Sequence, residues 1–129
     1  MPIARAREAA EAAQICFGSK LPHSATSRAY YAMFWAAQAA LARVGVRRTE
    51  WSHTALLASF ASDLIRRRKV YPAVLGQHFN RAMQLRLDAD YRLAGVSLNQ
   101  AAKVVRWAEQ FVTAISEQVS HGADDPETH

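Results

Sequence analysis
The chain has 129 residues, half of them hydrophobic, and a single cysteine, Cys16; that is one domain with enough apolar material for a core and no means of forming an internal disulfide. No apolar run approaches the roughly 18 residues that span a bilayer, and the N-terminus, with Arg5, Glu8 and Glu11 among alanines, lacks the apolar stretch of a secretory signal, so a cytoplasmic location away from membranes is expected. The formal charge is +5 and uneven: all sixteen Lys and Arg precede Trp107, whereas Asp124, Asp125 and Glu127 fall near the end, so the body attracts polyanions such as RNA or DNA.

In chain order, residues 3–17 read as a helix with Ala4, Ala9, Ala12, Ala13, Cys16 and Phe17 as its apolar residues, and Gly18 suits its C-terminal cap. Leu21-Pro22 breaks the pattern. The second helix is expected from a Ser24 cap to about Val44, with Gly45 as its stop. It holds four of the chain's twelve aromatic residues. Tyr30, Phe34, Ala37 and Leu41 recur at helical spacing, and Tyr31, Trp35 and Ala39 run beside them. Two adjacent stripes make a wide apolar face, which predicts the central helix of a bundle. Its alanines favour helix and allow neighbouring helices to approach closely.

Thr49 is the expected cap of a third helix from about Glu50 to Arg68, with Trp51, Leu56, Leu57, Phe60, Leu64 and Ile65 inward. Its end, Arg66-Arg67-Arg68-Lys69, complements the helix dipole and is either a solvated terminus or a phosphate-contacting patch. Pro72 opens a fourth helix over residues 73–91, with Val74, Leu75, Phe79, Met83 and Leu87 as its inner face. Ser97 and Gln100 form a capping box for a fifth helix running to about Val119. The sequence therefore predicts an all-α, up-and-down bundle of about five helices over residues 1–120. A flexible acidic tail is expected over 121–129.

Several kinds of chemistry are not legible. No two of the five histidines stand four apart, and Cys16 has no partner, so no metal site is expected. No glycine-rich loop precedes a helix, and no cofactor is called for. Candidate chemistry rests on arginine, aspartate, tyrosine and histidine.

Three pieces carry a resemblance. They are Ser27-Arg28-Ala29-Tyr30-Tyr31-Ala32-Met33-Phe34, then His53, then Arg86-Leu87-Asp88-Ala89-Asp90-Tyr91. In this order the chain resembles the HEPN domain family, particularly its small stand-alone bacterial and archaeal members, over roughly residues 5–118. The resemblance implies a short helical bundle that pairs into homodimers and often accompanies a minimal nucleotidyltransferase as a toxin–antitoxin pair. It also implies metal-independent ribonuclease chemistry, whose signature is an arginine followed after four to six residues by histidine. Here the position five after Arg86 is Tyr91. In many relatives histidine follows the Tyr-Tyr-Ala-Met-Phe run; here Trp35 does.

Arg86, Asp90 and Tyr91 lie four and five apart, near one face of a helix. Asp90 can fix the Arg86 guanidinium, which can then hold a phosphate bidentately. Tyr91 can stack a base, and His53 can transfer a proton if the third and fourth helices are neighbours. These four are the candidate site residues. Two other readings stay open: a buried Arg-Asp-Tyr network within a non-catalytic dimerisation and protein-interaction module, and a nucleotide-binding domain.

Overall fold
The computed structural model describes residues 1–124. Five helices follow one another: α1 Pro2–Gly18, α2 Pro22–Arg43, α3 His53–Ser59, α4 Ala73–Tyr91 and α5 Leu98–Asp124. Helix α3 runs on without a break into a π-helical segment, Phe60–Arg67. Among the described residues there is no strand, and no helix is long and apolar enough to cross a membrane.

Helix α2 is the central element. It packs against all four other helices, most extensively against α1 and α5. Twelve of its 22 residues are buried, spread around its circumference. The seam with α1 is built from alanines: Ala6, Ala9 and Ala13 are buried on α1, and α2 contributes Ala25, Ala29, Ala32 and Ala36 to the core. Methyl-sized side chains let two backbones approach closely while favouring helix. On the side of α2 facing α4 and α5 the core is aromatic. Phe60, Phe79 and Phe111 stand 5.1–6.0 Å apart, and Tyr30 lies 5.9 Å from Phe79.

Helix ends depart from expectation in instructive ways. Gly18 is still helical; the left-handed residue that closes α1 is Lys20, with φ 59°. Leu21 N–H donates to the Cys16 carbonyl at 2.9 Å and Lys20 N–H to that of Phe17 at 3.0 Å, the paired bonds of a Schellman cap. At the end of α2 the same motif uses Gly45, φ 86°, as expected. A side chain at positive φ costs energy that glycine avoids. Lys20→Gly is therefore expected to stabilise the protein by about 0.5–1 kcal/mol, read as a melting temperature a few degrees higher.

Helix α2 starts at Pro22 rather than after Ser24, because proline is already suited to the first helical position. Helix α3 is capped by Ser52, whose Oγ accepts from Ala55 N–H at 3.1 Å, and not by Thr49. Trp51 thus precedes the helix, with the Arg48 guanidinium 4.5 Å above its ring. The limits of α4 match expectation, with Pro72 as its N-cap. Its inner face matches in part: Leu75 and Phe79 are buried and Met83 packs against the core, but Val74 and Leu87 are exposed, and Ala82, Leu85 and Arg86 also face inward. The capping box forms reciprocally, Ser97 N–H to Gln100 Oε1 at 2.9 Å and Gln100 N–H to Ser97 Oγ at 3.1 Å. Helix α5 is described to Asp124, beyond Val119; of the expected tail, residues 125–129 lie outside the described residues.

Candidate functional site
Three helices bring three of the four candidate residues, His53, Arg86 and Asp90, around Tyr30. Tyr30 and Tyr31 sit in the first half of α2. His53 is the first residue of α3, fixed by the adjacent Ser52 cap. Arg86 lies on the inner face of α4, one turn before Asp90.

The His53 ring packs 4.9 Å from Phe34 and 5.5 Å from Tyr30. Tyr30 Oη and His53 Nδ1 are 2.6 Å apart. The Arg86 guanidinium lies 5.2 Å from the Tyr30 ring and 5.7 Å from the Tyr31 ring. Arg86 Nη1 donates to Asp90 Oδ2 at 3.2 Å. The Arg86 side chain is only 10% exposed, and its buried Nε has no hydrogen-bond partner. The order is Asp90, Arg86, Tyr30, His53: a carboxylate, a cation, a phenol and an imidazole.

The charges follow from this packing. Burial pushes the Tyr30 phenol well above its ordinary value, against the opposing pull of Arg86. Burial first, then the Arg86 charge, pushes His53 below its ordinary 6.5. At neutral pH the phenol therefore keeps its proton and the imidazole is neutral. In the tautomer where the Tyr30 hydroxyl donates to Nδ1, the imidazole proton sits on Nε2. In this tautomer His53 offers a donor at Nε2, a group that binds a phosphoryl oxygen rather than one that takes a proton from a hydroxyl.

The same arrangement predicts a pH dependence. A histidine whose folded-state value is depressed binds fewer protons than the unfolded chain, so its contribution is present above about pH 6.5 and lost as the pH falls. His78, stacked on Trp107 at 4.5 Å, is also pushed down by burial. The melting temperature should fall from about pH 8 to about pH 5. His53→Gln keeps an acceptor for Tyr30 and should flatten part of that slope, and His78→Gln the rest.

Two sequence-level assignments fit less well. Tyr91 is 77% exposed and makes no side-chain hydrogen bond or aromatic pair among the described residues, so it stands apart from Arg86 and His53. Arg86 itself is buried rather than open to an incoming polyanion, and Asp90 is its outlet to the surface. Asp90 lines a cleft of about 430 Å³ with Cys16, His23, Ser24, Ser27 and Arg28. The residue absent from the four candidates is Tyr30, which joins the cation to the imidazole; in sequence it marks the apolar stripe and the Tyr-Tyr-Ala-Met-Phe run but no polar role. Its polar end gave a signal, since a phenol on a central buried helix needs a hydrogen-bond partner. Among the described residues no three His, Cys, Asp or Glu side chains converge as a metal site would require.

Comparison with known proteins supplies an independent line. A family model described as HEPN domain matches residues 2–119. A UPF0332 protein of Thermotoga maritima is 31% identical over 116 residues, which cover 89% of this chain and 86% of that protein.

Proposed function
The chain belongs to the HEPN domain family, and from that premise we propose that it binds RNA or nucleotides as the toxin half, ribonuclease-like in character, of a pair with a small nucleotidyltransferase. One observation carries the reading. A guanidinium fixed by Asp90 shares a partly buried aromatic setting with a neutral imidazole bonded to Tyr30 through Nδ1. A cation beside a neutral imidazole suits a phosphodiester, because the negative charge meets the cation and a phosphoryl oxygen accepts from Nε2 in the tautomer that carries its proton there. A homodimer would bring two such loci together, as the family resemblance implies.

The test is direct. Purified protein should shift a labelled single-stranded RNA in a binding assay, with affinity falling as salt rises. Its expression alone should slow growth, and co-expression of an adjacent nucleotidyltransferase gene should relieve that effect. No binding at low salt together with no growth effect would remove this reading.

A second reading is favoured by a separate observation. Tyr91, Leu93 and Leu98 are 77%, 106% and 44% exposed around the α4–α5 connection. Exposed large apolar side chains in one region suit a protein-interaction surface. On that reading the chain is a dimerisation and docking module, and Arg86 serves only to pin α4 to α2.

A further inference from the structure
The α1–α2 hairpin carries a second feature, separate from the buried cluster. Arg5 lies near the start of α1 and its guanidinium sits 4.8 Å above the Trp35 ring of α2. Arg28, two turns earlier on α2, places its own guanidinium 5.8 Å from the Tyr31 ring. Between these pairs is a groove of about 440 Å³, floored by Ala9 and Ala12, with Glu8 on its wall. That volume falls in the roughly 300–1,000 Å³ range of small-ligand clefts. Arg28 also lines the neighbouring cleft of about 430 Å³ that reaches Asp90. The two depressions thus share a wall, and the second ends at the carboxylate that holds Arg86.

We infer that this groove is a single-stranded RNA subsite in which a base stacks on Trp35 and the flanking phosphates are held by Arg5 and Arg28. The inference rests on the RNA-binding reading above and gives the strand a path toward the Arg86 locus. Two exposed arginines, each already parked on an aromatic face, make the combination that binds unpaired nucleotides: a cation for the backbone and a flat π surface for the base. The floor matters as much as the walls. Alanines at 9 and 12 leave the space that longer side chains would fill. Glu8 is the one acidic group lining the groove, and its carboxylate can accept from an exocyclic amine or a ribose hydroxyl. Charge complementarity therefore favours a polyanion over an apolar protein segment.

The experiment uses the full chain and a short fluorescently labelled single-stranded RNA, with single-stranded DNA of the same sequence as comparison. Arg5→Ala and Arg28→Ala should each reduce the slope of log affinity against log salt by about 0.7. Trp35→Leu should weaken binding roughly tenfold, and Trp35→Phe, which keeps a stacking face, should retain most of the affinity. With Trp51 and Trp107 replaced by phenylalanine, RNA should quench the remaining Trp35 emission. Melting curves confirm that each variant is folded. RNA binding that survives Arg5→Ala/Trp35→Leu unchanged, without quenching, overturns the subsite while leaving RNA binding in place. A wild-type protein that binds no RNA overturns both. Loss of self-association or of a protein partner in the same variants, with RNA affinity untouched, makes the groove a protein interface and overturns the inference.

Discussion
Arg86→Ala is expected to lower the melting temperature by several degrees and, on the RNA reading, to reduce RNA affinity at least tenfold. The stability loss has two sources. Asp90 loses the donor at 3.2 Å, and the space above Tyr30 and Tyr31 empties. Removing one member of a largely buried pair costs about 1–3 kcal/mol; with Asp90 31% exposed, water offsets part of that. Arg86→Met separates the two roles, because methionine refills the space without charge or donors. Binding lost in Arg86→Met, with the melting temperature near that of wild type, assigns the guanidinium to a ligand. Binding retained there leaves Arg86 as a structural pin and favours the interaction-module reading.

Phe111→Ala should be the most damaging single change to the fold. Phe111 is fully buried and sits 5.1 Å from Phe60 and 5.3 Å from Phe79. It joins α5 both to the π-helical segment and to α4. Truncation removes a ring from a site that aromatic neighbours cannot collapse to fill, at a cost of about 3–5 kcal/mol. That is a large part of an ordinary domain's stability. Chemical denaturation should show a midpoint far below that of wild type, whereas Phe111→Leu should recover much of the loss. A midpoint unchanged in Phe111→Ala would contradict the aromatic core.

The helices were legible because their signals are local. The Ser97 and Gln100 capping box and the stop at Gly45 each need only a few residues, and both form as read. The burial of α2 followed from its double stripe of aromatics and alanines. Less local features were hidden. On α4, Leu75 and Phe79 turn inward as expected, but packing against α2 completes that face with Ala82, Leu85 and Arg86 rather than with Val74 and Leu87. Lys20 shows no sequence sign of a left-handed conformation; the geometry of the α1–α2 turn imposes it. At the candidate site, Arg86 and Asp90 were visible as a helical i, i+4 pair. The Tyr30–His53 bond spans 23 positions, and only the folded chain brings its ends together. Tyr91 was adjacent to the site in sequence but faces solvent, because it falls outside the buried face that Arg86 occupies.

The π-helical segment gives the third helix an unusual tolerance. Its wider turn, with Arg68 N–H reaching back five residues to the Asp63 carbonyl at 3.0 Å, accommodates one more residue than an ordinary turn. Phe60 and Leu64 both stay in the core across it. The segment therefore links the Ser52-capped start of the helix, where His53 sits, to the basic residues of its own last turn, Arg66 and Arg67. Relatives could differ by one residue in this region while keeping both ends in place, which would allow the charged surface to vary without disturbing the imidazole at the other end.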